Sequence, residues 1–205
     1  SHMKEVLDKY DEKIKNSIIL NQLNLKKEKY FLISMHREEN VDNRENLNLL
    51  IESINCISKE FNLDIIISTH PRTKDRLNRN SFKKFENNVR FLKPFGFFDY
   101  IKLQKSAYCV ISDSGTITEE SSLLNFPAIT IRESHERPEG MDEGILIMCG
   151  LKKENIINGI KITKEVFKNR KVNKIDDYES MTVSNKILKA VLSNIDYINR
   201  TTWYK

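Results

Sequence analysis

The sequence predicts an α/β domain in which a doubly wound parallel sheet is covered by helices on both faces. Short apolar runs alternate with longer amphipathic segments along most of the 205 residues, as they do in chains of repeated strand–helix units. The apolar runs are continuous rather than alternating, which is typical of strands buried on both faces. The length is sufficient to bury the core that such a sheet needs.

Composition and charge exclude several classes of protein. Charged residues make up 31% of the chain and the apolar set 39%, which is the balance of a soluble globular protein. No apolar run approaches the ~20 residues of a membrane span. The net charge is +5, but Lys and Arg are scattered along the chain, whereas nucleic-acid binding concentrates them on one face. We therefore expect neither a membrane nor a nucleic acid as a partner.

The cysteine content indicates a reducing compartment. Cys56, Cys109 and Cys149 are far apart, and each lies in an apolar context. They have neither the spacing of metal ligands nor that of a disulfide framework. We expect buried, reduced thiols in a cytoplasmic protein.

The predicted elements follow one another in a regular order. Residues 4–16 have the periodicity of an amphipathic helix. Strands are predicted at the apolar runs 30–34, 65–68, 89–92, 109–112, 128–131 and 145–148. Further helices are predicted at 42–57, 98–106, 116–125, 152–168 and 184–198, with a loop rich in Lys and Asn between the last two. Two of them begin with a capping-box pattern, Asp42 with Glu45 and Thr116 with Glu119.

The central stretch, residues 109–120, is the first candidate for a binding site. An apolar strand ends there in the turn Asp113-Ser114-Gly115, and a helix follows at once. Backbone N–H groups of Ser114 and Gly115 at a positive helix end would form a seat for phosphate, and Gly115 has no side chain to obstruct it. The same residues also describe an ordinary strand–turn–helix corner, so this pattern alone leaves both interpretations open.

Three further polar clusters follow other predicted strands. His36 and Arg37 follow the first strand, His70-Pro71-Arg72 the second, and Arg137 the fifth. In open parallel sheets, ligands bind beyond the carboxyl ends of the strands. The clusters together therefore predict a ligand site at this edge of the sheet.

The side chains of these clusters suit an anionic ligand that carries hydroxyl groups. His36 offers an imidazole for proton transfer, and the Arg37 guanidinium can pair with phosphate. Arg137 can reach a diphosphate or pair with a neighbouring glutamate, and Glu120 can accept from ribose hydroxyls or act only as a first-turn acid. The sequence contains no Walker-type loop, G-x-S-x-G or HExxH motif, which weighs against those mechanisms.

Three motifs carry a resemblance to a known family. They are His-Arg-Glu-Glu-Asn at 36–40, Asp-Ser-Gly at 113–115 with Glu-Glu at 119–120, and Glu-Arg-Pro-Glu-Gly at 136–140. In order and spacing they resemble the carboxyl-terminal half of the non-hydrolysing UDP-N-acetylglucosamine 2-epimerases. The resemblance implies one Rossmann-like domain of a GT-B fold. It also implies elimination of UDP to a 2-acetamidoglucal and re-addition with inversion at C2, with no metal or nicotinamide cofactor.

The resemblance implies roles for the residues at the sugar and the diphosphate. His36 matches a catalytic histidine placed near both groups. Ser114, Gly115 and Thr116 match the diphosphate seat, and Arg137 matches the diphosphate-binding arginine.

The resemblance also implies roles at the nucleoside and at a second site. Glu120 matches the acid that binds the ribose, and Tyr100 falls where the family has an aromatic residue beside uracil. The backbone near Phe95 is expected to contact the edge of the uracil. Arg37 and His70 match positions near an allosteric substrate site of some members.

The resemblance leaves the substrate open, because the sequence departs from the common family pattern at 70–73, 94–100 and 115–118. With residues 120–122 and 135–141, these departures resemble the capsule and O-antigen branch, which converts UDP-N-acetyl-L-talosamine to UDP-N-acetyl-L-fucosamine. Interconversion of UDP-N-acetylglucosamine and UDP-N-acetylmannosamine stays open. A GT-B glycosyltransferase with a UDP-sugar donor and a stand-alone nucleotide-sugar binding or regulatory module are two further interpretations.

The domain organisation expected from the resemblance is that of a partial chain. Residues 1–3 resemble the remnant of a tag, residues 4–28 a linker region with a helix, and residues 29–200 the UDP-binding domain. An amino-terminal domain, absent from this sequence, is expected to carry the carboxylates that act around C2. We expect a homodimer for the full-length protein and no activity for this chain alone.

Overall fold

Among the residues that the structure describes, six strands form one parallel sheet. The structure is a computed structural model, and it describes residues 1–79, 85–134, 137–169 and 174–205. The strands are β1 (Tyr30–Met35), β2 (Asp64–Thr69), β3 (Val89–Leu92), β4 (Cys109–Ser112), β5 (Ala128–Thr130) and β6 (Ile147–Met148). Their order, β3-β2-β1-β4-β5-β6, is that of a doubly wound sheet. The predicted α/β class is confirmed.

The inner strands consist of residues that favour extended backbone and burial on both sides. Ile65, Ile66 and Ile67 in β2 are all 0% exposed, and β-branched side chains pack well on a pleated surface. Because successive side chains point to opposite faces of a sheet, Ile65 and Ile67 join one hydrophobic core while Ile66 joins the other. The sheet therefore needs helices on both of its faces.

The helices cover both faces of the sheet. They are α1 (His2–Lys9), α2 (Asp11–Lys15), α3 (Ile19–Gln22), α4 (Glu38–Val41), α5 (Arg44–Phe61), α6 (Pro71–Arg79), α7 (Phe97–Ser106), α8 (Ile117–Leu124), α9 (Glu139–Asp142), α10 (Lys153–Lys168) and α11 (Val183–Ile198), with a 3-10 turn at Asp176–Tyr178 and a π-helical turn at Asn199–Trp203. Helices α5 and α10 pack on one face through Ile54 and Ile160. Helices α3, α7 and α8 pack on the other through Ile19, Leu103 and Ile117.

The structure corrects several predictions about the helices. The predicted helix 4–16 is two helices, because Tyr10 leaves the helical conformation with φ −111° and ψ 12°. The Asp42 capping box is wrong, since the N-cap of α5 is Asn43, whose side chain accepts hydrogen bonds from the N–H groups of Glu45 and Asn46. Helices α3, α4, α6 and α9 have no counterpart among the predictions. Three of them are only four residues long, and α6 contains almost no apolar residues.

Helix α11 lies where the sequence predicts a helix, but it stands outside the core. None of its residues is buried. Its apolar side chains at helical spacing, exposed by 44% to 63%, are Ile187, Leu188, Val191, Leu192 and Ile195. The N–H of Ser184 donates to the Glu5 carboxylate at 3.2 Å, which ties its first turn to α1. No helix in the described part of the chain is both long and apolar enough to cross a membrane.

Candidate functional site

Loops from neighbouring strands meet at the carboxyl edge of the sheet. Strands β1 and β4 are paired side by side, so His36 and Asp113, which follow them, come together. In a doubly wound sheet of this order, the topological switch point lies between these two strands, and ligands bind there. Met35 and Thr69 end β1 and β2 in register, which places His70 one residue beyond the same edge.

Asp113 organises the loop that follows β1. Its side chain is fully buried, and it accepts hydrogen bonds from the backbone N–H groups of His36 and Arg37, each at 3.0 Å, and from Nδ2 of Asn40 at 3.2 Å. Burial by itself would raise the pKa of Asp113. The hydrogen bonds from the His36 side chain and from the Arg37 and His36 backbone outweigh burial, so that the pKa lies below its ordinary value. Asp113 therefore remains a carboxylate with several donors around it.

His36 is oriented by this carboxylate. Its Nδ1 lies 3.0 Å from Oδ1 of Asp113, and its side chain is 46% exposed. The hydrogen bond that His36 donates to Asp113 raises the pKa of His36 against the opposing effect of burial. Because Nδ1 is engaged, Nε2 is the nitrogen that can meet a ligand. The Nε of Arg37 donates to the Asp113 carbonyl at 3.0 Å, so this guanidinium is tied to the same corner.

Residues 112–122, which we call the polar corner, contain the predicted phosphate seat. The N–H of Ser114 donates to Oγ of Ser112 at 3.0 Å, so it is engaged within the turn and is not left exposed as the sequence predicts. The other groups of the predicted seat are the side chain of Ser114 and the N–H groups of Gly115 and Thr116 at the start of the helix, where N–H groups have no intrahelical partners.

The predicted capping box at Thr116 is also wrong. Thr116 precedes α8 with φ −73° and ψ −14°, and its side chain makes no cap hydrogen bond. Its hydroxyl lies 3.0 Å from that of Ser114 and also contacts the carboxylate of Glu120. The hydroxyl of Thr116 is therefore used within the polar corner rather than to start the helix.

Glu120 lies on the buried side of the polar corner. It is 7% exposed, and Nε2 of Gln104 donates to its Oε2 at 2.6 Å. Burial raises the pKa of Glu120, while hydrogen bonds from Gln104 and Thr116 oppose that effect. The hydroxyl of Tyr100 lies beside Ser34 and Gln104, and burial raises its pKa. The structure thus brings two predicted nucleoside-binding residues, Tyr100 and Glu120, together. Phe95 packs against the same hydrophobic core as Tyr100.

Arg137 approaches the polar corner from the loop after β5. One of its terminal nitrogens forms an ion pair of 2.9 Å with Oε1 of Glu119, and its side chain is 29% exposed. This places Glu119 beside Arg137 and not in a capping box. With Ser114 and Gly115, Arg137 lines a pocket whose other members are Ile117, Thr118, Thr130, Arg132, Ser134 and Leu146. The predicted convergence of Ser114, Gly115 and Arg137 is thus present in the structure.

Helix α9 passes unusually close to α8, and Gly140 permits that approach. A Cβ on Gly140 would lie 2.2 Å from Cγ2 of Thr118, too close for any real contact. The glycine follows Arg137 by three residues, so the close approach carries Arg137 towards Glu119. A side chain at position 140 would therefore force Thr118 or the backbone of α9 to shift.

Arg132 is a residue of this site that the sequence analysis missed. It is only 6% exposed and lines the same pocket as Ser114 and Arg137. The sequence indicates Arg132 only by its position directly after a predicted buried strand. Charged side chains are almost never buried without a partner or a ligand, so a charged residue at such a position is a candidate for a site. Glu136 and the side chain of Arg72 lie outside the described part of the chain. No group of three His, Cys, Asp or Glu side chains in the described part could hold a metal ion.

This combination of fold and site is typical of α/β domains that bind nucleotides. The sheet is doubly wound, and its switch point carries a helix start, two arginines and a histidine–aspartate pair. The chain belongs to the UDP-N-acetylglucosamine 2-epimerase family, whose family model matches residues 1–192. The predicted family is confirmed, and members named after this activity are isomerases.

Several relatives are similar to large parts of the chain. A UDP-N-acetylglucosamine 2-epimerase of Methanococcus maripaludis is 44% identical over 139 residues, which are 66% of this chain and 38% of the relative. The structure of the Rickettsia bellii UDP-N-acetylglucosamine 2-epimerase is 48% identical with a TM-score of 0.88, covering 100% of this chain and 55% of that one. The Methanocaldococcus jannaschii enzyme in complex with UDP-GlcNAc and UDP is 32% identical with a TM-score of 0.66, covering 75% and 43%. This chain thus spans about half the length of these relatives or less.

Proposed function

We propose that this chain is the UDP-binding domain of a UDP-N-acetylhexosamine 2-epimerase. The observation that carries the proposal is the convergence of positive groups at one switch point in a member of this family. These groups are the start of α8, Arg137 and the His36 imidazole, which Asp113 holds at 3.0 Å. A diphosphate has the charge and the size that such a group of donors recognises.

In the proposed reaction these groups act on the leaving nucleotide. The bond between C1 and the diphosphate oxygen breaks, a proton leaves C2, and UDP departs with an additional negative charge. Donors and cations already placed at the diphosphate stabilise that charge as it develops. His36 contributes most in its protonated form, which the hydrogen bond to Asp113 favours by raising the pKa.

The nucleoside end of the ligand has its own set of residues in this proposal. Glu120 accepts hydrogen bonds from the ribose hydroxyls through the carboxylate that Gln104 fixes from behind. Tyr100 supports the same position from α7, and the backbone near Phe95 contacts the uracil. Arg37 and His70 lie at the rim after β1 and β2, where a second substrate molecule could reach them.

Proton transfer at C2 is assigned to groups outside this chain. Among the described residues, the three buried carboxylates of this edge are already engaged, Asp113 with backbone N–H groups, Glu119 with Arg137, and Glu120 with Gln104. A general base must lie within hydrogen-bond reach of the proton that it removes and must be able to accept it. We therefore assign this step to the part of the relatives that this chain does not span.

We make a separate proposal for the identity of the UDP-sugar substrate. The departures from the common family pattern at 70–73, 94–100 and 115–118 favour UDP-N-acetyl-L-talosamine and UDP-N-acetyl-L-fucosamine. UDP-N-acetylglucosamine fits the same described geometry. An NMR assay of a longer protein that contains this domain, with each UDP-sugar and no acceptor, decides between them by showing which one is inverted at C2. The same assay tests the glycosyltransferase alternative, since only an epimerase yields the C2-inverted nucleotide sugar.

The 205-residue chain provides the direct test of the proposed function. Titration with UDP should give saturable binding, and incubation with either UDP-sugar should give no inversion at C2. Absence of UDP binding by a folded chain would contradict the proposed function. Robust epimerisation would contradict the assignment of the C2 chemistry to another domain.

Gly115→Val is the sharpest single test of the diphosphate seat. A β-branched side chain at the start of α8 should obstruct the approach of a phosphate while leaving the core intact. UDP affinity should fall with little change in thermal unfolding. Unchanged UDP affinity in the folded variant would place the diphosphate elsewhere.

A further inference from the structure

Gln104 is a polar side chain on the buried side of α7. It is 0% exposed, and Ile101, one turn earlier on the same helix, is 1% exposed. Its Nε2 donates to Oε2 of Glu120 at 2.6 Å. Hydrogen bonds to an ionised acceptor are stronger than those between neutral groups. The amide of Gln104 therefore fixes one oxygen of the Glu120 carboxylate.

This contact leaves the other end of the same amide without a partner. An ionised carboxylate only accepts hydrogen bonds, so Nε2 of Gln104 faces Glu120 and Oε1 faces away from it. Oε1 is buried and has no hydrogen-bond partner among the described residues. A buried acceptor without a partner lowers stability, whereas an apolar side chain of similar volume would avoid that loss. The amide is thus better explained by its effect on Glu120 than by packing.

Glu120 lies one helical turn behind the predicted phosphate seat. Its N–H donates to the carbonyl of Thr116 at 2.9 Å, so the two side chains lie on the same face of α8. The hydroxyl of Thr116 lies 3.0 Å from that of Ser114, and Ser114 lines the pocket that also contains Arg137. In a nucleoside diphosphate the ribose follows directly after the diphosphate. A ligand with its diphosphate at Ser114 can therefore place its ribose hydroxyls at Glu120.

We infer that Gln104 is a positioning residue that makes this site prefer nucleotides with a complete ribose to their 2′-deoxy analogues. The inference deepens the proposed function and rests on it. A glutamate that is ordered before its ligand arrives loses less conformational entropy on binding. Two neighbouring hydroxyls can both donate only to a carboxylate in one orientation, whereas a single hydroxyl is satisfied by several. Gln104 itself is fully buried and acts on the ribose only through Glu120.

The test is Gln104→Met, which keeps the length of the side chain and removes the amide. Binding of UDP, 2′-deoxy-UDP and inorganic pyrophosphate is measured by NMR titration of the 205-residue chain. We expect the affinity for UDP to fall about three- to tenfold and that for 2′-deoxy-UDP about twofold or less, with pyrophosphate binding unchanged. Gln22→Met, at an exposed glutamine of α3, is the matched control and should change none of the three. If Gln104→Met does not fold, Gln104→Asn replaces it, because it withdraws the amide by one methylene and should give the same pattern.

A double-mutant cycle with Glu120→Ala separates positioning from general destabilisation. Glu120→Ala alone should reduce both the affinity for UDP and the preference for UDP over 2′-deoxy-UDP. Adding Gln104→Met to that variant should produce no further loss, because the residue through which Gln104 acts is already absent.

Several outcomes would overturn the inference. They are unchanged UDP binding by Gln104→Met, equal losses for UDP and 2′-deoxy-UDP, a loss for pyrophosphate, and a further loss in the double variant. Equal affinities of the unchanged chain for UDP and 2′-deoxy-UDP would overturn it as well. Failure of the unchanged chain to bind UDP or pyrophosphate would instead overturn the proposed function.

Discussion

Helix α8 and helix α11 distribute polar and apolar residues in opposite ways. The buried residues of α8 are mostly polar, and they include two glutamates and two serines. Helix α11 carries a continuous apolar stripe and has no buried residue. Ordinary packing would bury the second helix and expose the first.

The difference is explained by where each polar group finds a partner. On α8, Glu119 pairs with Arg137, Glu120 accepts from Gln104, and Oγ of Ser121 donates to the Phe126 carbonyl at 2.7 Å. A buried polar group is tolerated when it is hydrogen-bonded. No part of the described chain buries the apolar stripe of α11. The buried polar residues of α8 thus belong to the candidate site. The exposed apolar stripe of α11 is instead a surface of the kind that packs against another element or molecule.

The largest expected effect concerns the residue that supports the polar corner. Asp113→Ala removes the acceptor of two backbone N–H groups, the Asn40 amide and the His36 ring. Leaving such buried donors without an acceptor should lower the free energy of unfolding by about 3–5 kcal/mol, measured by chemical denaturation. Asp142→Ala, at an exposed aspartate of α9, is the matched control and should stay within about 0.5 kcal/mol. Equal effects of the two changes would show that the corner does not depend on its buried carboxylate.

The sequence predicts the sheet well because its strands are nearly pure apolar runs. Three consecutive isoleucines, Ile65, Ile66 and Ile67, strongly favour a strand that is buried on both faces. The predicted strand 65–68 ends within one residue of β2 on each side. Helix α6 shows the limit, since its nine residues offer almost no apolar periodicity. The capping-box prediction at Thr116 fails because of contacts that the local sequence does not show. Thr116 has the right neighbours for a cap, but its hydroxyl contacts Ser114 and Glu120 instead.

The site is predictable where it follows from topology and unpredictable where it depends on distant contacts. That His36, Ser114 and Arg137 all follow strands at one edge is expected of a parallel sheet. The engagement of the Ser114 N–H by Ser112 depends on one rotamer, which no pattern encodes. Tyr178 lies in a segment whose composition predicts only a loop, and its hydrogen bond to Glu139 appears only when the chain is folded.

An intermediate effect is expected from titration of His36. Its pKa is raised from the ordinary value of 6.5, chiefly by the hydrogen bond to Asp113. The stabilisation from this pair is therefore fully present below about pH 6.5 and is lost as the pH rises through the raised pKa. UDP affinity should fall over the same interval, by about fivefold if one charge-assisted hydrogen bond becomes neutral. Isothermal titration at several pH values measures it.

His36→Asn provides the control for that titration. Contributions from UDP and from the rest of the chain are common to both proteins. The difference between the two pH profiles therefore reports His36. Parallel profiles would mean that the imidazole does not meet the nucleotide, and that the polar corner binds UDP without it.

The smallest expected effect is on α11, and it sharpens the comparison with α8. Leu192 is 63% exposed, whereas Leu103 in α7 is 0% exposed, so the same substitution can be made in both environments. Leu192→Ala should change the free energy of unfolding by less than about 0.5 kcal/mol, while Leu103→Ala should cost about 2–5 kcal/mol because it leaves a cavity. Both are measured by denaturation at two protein concentrations. A loss above about 1 kcal/mol for Leu192→Ala would show that the stripe is covered in solution. If that loss also grows with protein concentration, a second copy of the chain covers it, because only an association shifts with mass action.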